Sequence, residues 1–346
     1  MPTRREFLGT VAATAAATRL GAADAAPATA PAGLLWGNLL HLSFNMWCDR
    51  PVASWGPLKK EDVHFVTVAP HLRFDQTLWD DLTARMAKAG MNLVVIDLGD
   101  AVRYDGHPEI AVRNAWTPAK LRDELKRLRQ LGLEPIPKLN FSTAHDQWLG
   151  HYSRMVATPT YYKVCEELIA EVCALFDAPR FFHLGYDEET IGNQAQYALA
   201  IVRQHELWWH DFRFFIAAVE RHKARPWVWS DYAWAHGDSY YRDVPRSVLQ
   251  SNWYYGLTFD PAKEKAVRAY VDLEQHGFDQ LPTASNWSAP ENFAATVAFA
   301  RRHIDPARLK GFLQTPWMPT VEKFRAHHEA AIDLVAAAIR TGRPAP

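Results

Sequence analysis

The sequence predicts an α/β protein with a single (β/α)8 barrel over residues 33–342. From Gly37 onward, short apolar runs alternate with longer helical patterns, and there are eight of these runs. Eight is the number of parallel strands that closes a small barrel, and about 300 residues suits such a fold. The alternative is an open doubly wound sheet, but no glycine-rich phosphate turn follows its first strand.

The eight apolar runs are the candidate strands. They are Leu39–Trp47, Asn92–Leu98, Glu134–Phe141, Phe181–Asp187, Trp227–Asp231, Val248–Trp253, Thr283–Trp287 and Gly311–Trp317. Patterns with apolar residues at helical spacing lie between them. These patterns are Gln76–Ala89, Pro118–Leu131, Tyr161–Phe176, Ala195–Lys223, Ala262–His276, Pro290–His303 and Val321–Ile339. Between strands five and six, Tyr240–Val244 allows only a turn or two.

Composition and charge narrow the classes of function. The chain has 38 Lys and Arg against 39 Asp and Glu, a formal net charge of -1, so charge gives no reason to expect nucleic acid as a partner. The aromatic content is high, with 14 Trp, 12 Tyr and 17 Phe. So many amphipathic rings indicate a surface that binds something flat and partly apolar.

Residues 1–28 are expected to be a targeting segment outside the fold. Arg4 and Arg5 precede a small, apolar run at 10–18, which is the pattern of a bacterial twin-arginine export signal. Residues 23–25 or 26–28 would serve as the cleavage site. The run is too short to span a bilayer. We therefore expect a periplasmic or secreted protein that uses the twin-arginine export machinery, with no stable membrane insertion of the mature chain.

The end of strand four carries the strongest candidates for chemistry, because the active site of such a barrel lies at the carboxyl ends of its strands. Alternation points His183, Gly185 and Asp187 into the barrel, and Glu188 follows at the turn. Two carboxylates so close repel, which raises the proton affinity of one. A carboxyl group that stays protonated near neutral pH can act as a general acid. A solvated acidic loop is the alternative.

Residues 183–188, His-Leu-Gly-Tyr-Asp-Glu, resemble the His-x-Gly-Gly-Asp-Glu motif of glycoside hydrolase family 20, the β-N-acetylhexosaminidases. In that family the motif also ends strand four of a barrel. The resemblance implies that Glu188 is the general acid/base and that Asp187 orients the substrate's 2-acetamido carbonyl, the nucleophile of a retaining mechanism. Three features differ. Tyr186 replaces the second glycine, strand one has no sugar-holding arginine, and residues 314–317 lack the usual glutamate.

The other strand ends bear on the mechanism without reference to the family. A carboxylate nucleophile would stand on a strand later than the fourth. Strands six and seven end at 252–254 and 286–288 without a carboxylate, and of these later strands only strand five offers one, Asp231. A mechanism that needs no enzyme nucleophile is therefore favoured. Two alternatives remain open: hydrolysis of another glycan by Glu188 with Asp231, and a saccharide-binding barrel without turnover.

Tryptophans end four successive strands: Trp229, Trp253, Trp287 and Trp317. Apolar sugar faces stack on such rings and indole N–H groups can reach hydroxyls, so the pattern predicts a wall that binds a carbohydrate substrate. The alternative is that these rings cap the barrel core. Other side chains expected to bind substrate at this edge are His183, Asn140, Asp231 and Tyr254, with Tyr232 and Tyr255 as further candidates.

Metal ligands are not indicated by the spacing of histidines, cysteines and carboxylates. The sequence therefore predicts no metal and no cofactor. His145 and Asp146, in the loop after strand three, are expected to be structural rather than catalytic.

Overall fold

A computed structural model describes residues 33–341 and contains the eight expected strands, each followed by a helix. Seven of the eight strands are shorter than the expected apolar runs, because the carboxyl end of most runs leaves the sheet to form the cavity described below. The strands are β1 (Leu35–His41), β2 (Leu93–Asp97), β3 (Glu134–Lys138), β4 (Phe181–His183), β5 (Arg225–Trp229), β6 (Leu249–Ser251), β7 (Thr283–Ala284) and β8 (Gly311–Gln314).

Within residues 33–341, eight α-helices pack outside the strands, and side-chain caps fix several of their first turns. Asp75, Thr117 and Thr158 each accept a hydrogen bond from a backbone N–H of the first turn that follows. The helices are α1 (Gln76–Lys88), α2 (Pro118–Gln130), α3 (Pro159–Leu175), α4 (His205–Glu220), α5 (Ala233–Asp243), α6 (Lys265–Gln275), α7 (Asn292–His303) and α8 (Arg325–Thr341).

Two expectations about the helices were wrong. Helix α4 begins at His205, not at Ala195, because buried polar contacts fold the preceding segment into turns. The Gln194 amide donates to the Ile201 carbonyl at 2.7 Å, and the buried Arg203 pairs with Glu189 at 2.7 Å. Strands β5 and β6 are joined by α5, which has 11 residues with a kink at His236, rather than by a turn or two.

All strand pairs are parallel, in the order β6-β5-β4-β3-β2-β1-β8-β7. Isolated bridges from Gln250 to Gln280 and from Trp253 to Thr283 join β6 to β7 and complete the ring. The predicted (β/α)8 barrel is thus confirmed, and the carboxyl ends of all eight strands meet at one mouth.

The barrel interior holds charge as well as apolar side chains. Lys138 on β3 is fully buried, and its Nζ lies 2.5 Å from Asp97 Oδ2 on β2. His41 Nδ1 on β1 lies 3.3 Å from the same carboxylate oxygen. Burying an unpaired charge is costly, so this cluster forms a paired polar floor beneath the mouth.

The three cysteines, Cys48, Cys165 and Cys173, are buried and form no disulfide. Across residues 33–341, no helix has the length and apolar character needed to cross a membrane. The predicted export signal, with Arg4, Arg5 and its cleavage sites, lies outside the residues that the structure describes.

Candidate active site

The backbone after β4 turns sharply and presents two adjacent carboxylates at the mouth. Gly185, Tyr186 and Glu188 all have positive φ, at 67°, 76° and 56°. A Cβ at Gly185 would lie 2.1 Å from Asn140 Cγ, so only glycine fits there. The glycine that the sequence shares with the family motif is therefore explained by close contact with β3's continuation.

Tyr186 occupies a conformation that favours glycine, and its ring compensates by packing. The ring is buried against Trp208 and Phe212, with centroids 5.2 Å and 5.1 Å away, and the Arg203 guanidinium lies 4.6 Å from its centre. Non-glycine residues in the left-handed region cost roughly 1–3 kcal/mol and persist where the surroundings hold them. Burial of an aromatic side chain offsets a cost of that size.

Asp187 is nearly fully buried at the base of the mouth. Its Oδ1 accepts a hydrogen bond from Asn140 Nδ2 at 2.9 Å, and its Oδ2 lies 3.4 Å from His145 Nε2. Burial opposes ionisation, but the positive His145 and the Asn140 amide outweigh it and hold the pKa of Asp187 below its ordinary value. Asp187 is therefore a fixed, ionised carboxylate.

His145 lies at the candidate active site, whereas the sequence predicted only a structural role for it. Its Nε2 lies 3.4 Å from Asp187 Oδ2 and 3.4 Å from Glu188 Oε2, so one ring contacts both carboxylates. Burial alone would lower the pKa of His145, but the two negative neighbours raise it to about 10. The imidazolium thus neutralises part of the charge of the pair at neutral pH. The sequence signal was its place in the loop after β3.

Glu188 is the more accessible of the two carboxylates, with 36 % of its side chain exposed. Its backbone N–H donates to Asp231 Oδ2 at 2.9 Å, and its carbonyl accepts from Asn193 Nδ2 at 2.8 Å. These contacts fix the backbone while the side chain lines a cavity. Such a group can exchange a proton with a bound molecule.

Asp231 follows β5 and is not among the residues that line the cavity. Its second oxygen, Oδ1, lies 3.4 Å from Trp253 Nε1. Burial and the negative Asp187 raise the pKa of Asp231 to about 8. At neutral pH this side chain is therefore mostly protonated.

The cavity at the mouth has a volume of about 500 Å³ and is dominated by rings. Trp229, Trp253, Trp287 and Trp317, which the sequence singled out, all line it. Trp229 is almost fully buried at its base. We call the remaining rings the aromatic wall, which consists of Trp47, Trp55, Trp253, Tyr255, Trp287 and Trp317.

Loop β1–α1 supplies two rings of this wall that the sequence did not single out. Trp47 and Trp55 lie with ring centroids 5.6 Å apart. Gly56, at φ 46°, packs directly on Trp287, since a Cβ there would lie 2.5 Å from Trp287 Cζ2. The loop after β1 thereby meets the loop after β7 across one side of the mouth.

Four of the expected substrate-binding residues do not line the cavity. Asn140 and Asp231 instead form hydrogen bonds to Asp187 and to the Glu188 backbone. His183 is fully buried beneath Trp229, with ring centroids 4.2 Å apart, and burial lowers its pKa well below the ordinary value. Tyr254 turns away to pack on Phe259, while the next residue, Tyr255, faces the cavity. Alternation along the chain after β6 accounts for this difference.

His145, Asp187 and Glu188 also offer three donor atoms within 4.8 Å of one another, a spacing that could hold a metal ion. Metal binding requires a neutral imidazole nitrogen. The raised pKa of His145 instead keeps the ring protonated between the carboxylates. The donor set therefore fits an ion-pair cluster better than a metal centre.

Comparisons with known proteins agree with this fold. No protein-family model matches the chain, and no curated protein matches it. Solved structures do match, among them a GH20 exo β-N-acetylglucosaminidase from Vibrio harveyi, with 15 % identity, a TM-score of 0.57 and 90 % of this chain covered. A β-N-acetylhexosaminidase from Bacteroides fragilis matches with 12 % identity, a TM-score of 0.56 and 86 % of this chain covered. For an N-acetyl-β-hexosaminidase from Streptomyces plicatus these values are 11 %, 0.56 and 87 %.

This chain spans less than two thirds of each of those proteins, at 57 %, 65 % and 63 % of their lengths. At such identities the likeness concerns the fold. The barrel expected from the motif at residues 183–188 is confirmed to be of the kind found in glycoside hydrolase family 20.

Proposed function

We propose that the protein is a glycoside hydrolase of the β-N-acetylhexosaminidase type. The observation that carries the proposal is the Asp187–Glu188 pair, bridged by His145 and facing a ring-lined cavity at the end of β4. The pair combines one buried, fixed carboxylate with one accessible carboxyl group. That division suits a reaction that needs one group to orient the substrate and another to exchange protons.

The proposed reaction uses the substrate's own acetamido oxygen as nucleophile. This oxygen attacks C1 and the bond from C1 to the leaving oxygen breaks, while Glu188, in the protonated form that starts the reaction, gives its proton to that oxygen. Asp187 orients the acetamido group and stabilises the positive charge that develops on it. Glu188 then takes a proton from a water molecule as the water oxygen forms a bond to C1 and the bond from C1 to the acetamido oxygen breaks. The sugar product therefore keeps its original configuration.

The position of Asp231 supports this mechanism over one with an enzyme nucleophile. Among the described residues, Asp187 and Glu188 are the only carboxylates that line the cavity. Asp231 accepts a hydrogen bond from the Glu188 backbone and has a pKa raised to about 8, whereas a carboxylate nucleophile must be ionised and must reach C1. Asp231 therefore acts through Glu188 in this proposal.

A screen of chromogenic glycosides, with and without a 2-acetamido group, tests the proposed function. We expect turnover only of the acetamido substrates. Turnover of glycosides without that group would favour hydrolysis of another glycan by Glu188 with Asp231. Measurable sugar binding without turnover of any glycoside would favour a saccharide-binding barrel.

The Asp231→Ala variant decides between the two mechanisms. We expect azide not to rescue it, because azide replaces a missing enzyme nucleophile and the proposed mechanism has none. A glycosyl azide of inverted configuration relative to the hydrolysis product would make Asp231 the nucleophile. Asp187→Asn with azide is the parallel measurement, and we expect no rescue there either.

We also propose that the protein is exported by the twin-arginine machinery to the periplasm or beyond. Arg4 and Arg5, followed by the small apolar run, support this proposal. Replacing both with lysine should leave the precursor in the cytoplasm, as fractionation of cells and detection of the protein would reveal. Unchanged export of the double variant would refute it.

A further inference from the structure

The Asp187–Glu188 pair stands on a strained turn that surrounding side chains hold in place. Tyr186 and Glu188 both have positive φ, at 76° and 56°. Residues other than glycine persist in that region only where their surroundings fix them. The side chains on the two flanks of the pair, Tyr186 and Glu189, both contact one buried cation, Arg203. Arg203 is therefore placed to fix the turn from both sides.

The Arg203 side chain is fully buried and contacts three parts of the chain at once. Its Nε and Nη2 donate to the two carboxylate oxygens of Glu189 at 2.8 and 2.7 Å, the paired geometry that a planar guanidinium forms with a carboxylate. Nη2 also donates to the Phe141 carbonyl at 2.6 Å, in the loop after β3, and Nη1 donates to Asp211 Oδ2 on α4 at 3.2 Å. Arg203 thus joins the turn after β4 to the loop after β3 and to α4.

Glu189 extends this connection to the segment that carries His145. Its Oε2 accepts from the Thr143 backbone N–H at 3.3 Å, in addition to the hydrogen bond from Arg203. Thr143 lies two residues before His145, and Glu189 is the neighbour of Glu188. The 3.4 Å contact between His145 Nε2 and Glu188 Oε2 therefore has a second connection beside it that joins the same two segments. We call the contacts of Arg203 with Glu189 and Phe141, and of Glu189 with Thr143, the arginine clamp.

The clamp also compensates the charge of a third carboxylate. Asp187, Glu188 and Glu189 are consecutive, and carboxylates so close repel one another. Glu189 is buried against Arg203 and is not among the residues that line the cavity, whereas Asp187 and Glu188 are. An unpaired buried charge at this position would be costly and would act on Glu188. Arg203 therefore leaves the cavity with two carboxylates.

We propose that Arg203 is a positioning residue of the active site, which holds the Glu188 carboxyl group against His145 through Glu189. Arg203 does not line the cavity, so it acts on Glu188 and not on a bound sugar. The effect on proton exchange rests on the proposed function, whereas the effect on the His145–Glu188 contact does not. Lysine keeps the charge but has neither the paired donors nor the flat face, so Arg203→Lys loosens the clamp and retains a cation.

Kinetics of Arg203→Lys with the phenyl and 4-nitrophenyl 2-acetamido-2-deoxy-β-glucosides test the proposal. We expect kcat to fall about 10- to 100-fold with little change in KM, because displacing a positioned group by about 1 Å can cost about 10²-fold. The loss should be larger for the phenyl glycoside, whose poorer leaving group needs the proton of Glu188 more. An equal loss for both substrates, or a change in KM alone, would overturn the inference.

Arg308→Lys is the matched control. Arg308 Nε donates to both oxygens of Glu274 at 2.9 and 3.0 Å, just before β8 and thus at the opposite end of the barrel. This variant also loses a paired arginine–carboxylate contact, so it should lower stability and leave kcat and KM unchanged. A fall in kcat as large as that of Arg203→Lys would assign the effect to stability and overturn the inference.

A double-mutant cycle with Glu188→Gln separates positioning from a general loss of structure. Once the proton donor is absent, Arg203→Lys has no carboxyl group to position and should lower kcat by less than about twofold further. A full, additive loss in the double variant would overturn the inference.

Proton NMR of His145 tests the clamp without turnover. The nitrogen-bound proton of the ring, assigned by its loss in His145→Gln, should move in Arg203→Lys toward its position in Glu188→Gln, where the carboxylate contact is removed. An unmoved signal would overturn the inference. A moved signal without turnover of any glycoside by the unaltered protein would refute the proposed hydrolysis and leave the clamp standing.

Glu189→Gln is the second variant, because it leaves Arg203 paired with Asp211 and so buries no unpaired charge. It should reproduce the kinetics and the NMR shift of Arg203→Lys, since the glutamine amide faces donors of Arg203 and Thr143. Failure of both variants to fold would make the clamp a requirement for folding alone and would overturn its assignment to positioning.

Discussion

The two sides of the cavity are built by different kinds of interaction. The carboxylate side, which comprises Asn140, His145, Asp187, Glu188 and Asp231, is a connected set of polar contacts between 2.9 and 3.4 Å. The aromatic wall is held by ring contacts, such as the stacked Trp253 and Tyr255 with centroids 5.0 Å apart. The first side depends on direction and charge, whereas the second depends on shape and apolar area.

This difference separates two kinds of function. Hydrogen bonds and ion pairs weaken steeply when a partner moves by a fraction of an ångström, so the carboxylate side can hold reacting groups in place. Ring contacts tolerate small movements and favour any ligand with a complementary apolar face. We therefore expect substitutions on the carboxylate side to reduce kcat and substitutions in the wall to raise KM.

The largest effect is expected from Glu188→Gln, which removes the proton donor and nearly keeps the shape. The value of kcat for acetamido glycosides should fall by about 10²- to 10⁴-fold. The loss should be smallest for aryl glycosides whose leaving group departs without protonation. Steady-state kinetics over a series of leaving groups measures both effects, with Glu206→Gln on the exposed start of α4 as the matched control.

A loss of kcat below tenfold, or one that does not vary with the leaving group, would remove Glu188 from proton transfer. The carboxylate side would then differ from the aromatic wall in structure but not in a role in proton transfer.

Gly185→Ala tests whether the directional contacts are as strict as the geometry indicates. The new Cβ would lie 2.1 Å from Asn140 Cγ, so Asn140 must move, and the hydrogen bond that holds Asp187 is disturbed. Displacement of a positioning group by about 1 Å can cost about 10²-fold, and we expect a fall in kcat of that order.

Gly132→Ala is the control for backbone strain alone. Gly132 also has positive φ, at 80°, but no atom lies within 4 Å of the position of its added Cβ. It should lose stability without the fall in kcat. Equal losses of kcat in the two variants would assign the effect to strain instead of to Asn140.

Alanine variants of two tryptophans test the wall. Trp287 is only partly buried, so Trp287→Ala should raise KM about tenfold, equivalent to 1.4 kcal/mol, with little change in melting temperature. Trp317 is buried against Trp47, Trp229 and His41, so Trp317→Ala should both weaken sugar binding and destabilise the protein by about 3–5 kcal/mol.

Steady-state kinetics measure KM, calorimetry measures sugar binding, and thermal unfolding measures stability. If Trp287→Ala lowers kcat with an unchanged KM, the wall contributes to the transition state and the proposed separation between the two sides is wrong.

The sequence alone predicted those parts of the structure that follow a repeating pattern of residues. Alternating apolar runs predicted the barrel, and the place of residues 183–188 at the fourth run predicted that Asp187 and Glu188 reach the mouth. The four tryptophans reach the cavity because each lies at the end of its strand or within three residues after it.

The rest of the cavity comes from loops, where no periodicity reports direction. His145 reaches the carboxylates only because the chain after β3 turns back over the mouth, and Trp47 and Trp55 depend on the path of a long loop. The sequence pattern before α4 is typical of a helix. The ion pair between Arg203 and Glu189, which are not neighbours on a helix, overrides that local preference.

The last expected effect is on stability and concerns Asp231, which contacts Glu188 and Trp253. Its pKa is about 8 in the folded protein against an ordinary value of 3.8. Between these values the folded protein holds a proton that the unfolded chain has lost, so the free energy of unfolding falls as pH rises. This contribution is complete below about pH 4 and is lost by about pH 8.

Asp231→Asn keeps the acceptor for the Glu188 N–H but does not titrate. Its free energy of unfolding, measured by urea denaturation from pH 5 to 8, should fall less steeply than that of the unaltered protein, by at most about 1.4 kcal/mol per pH unit. Asp123→Asn at an exposed position is the control and should leave the slope unchanged. Identical slopes for Asp231→Asn and the unaltered protein would mean that Asp231 is ionised throughout. Its protonation would then no longer argue against Asp231 as a nucleophile.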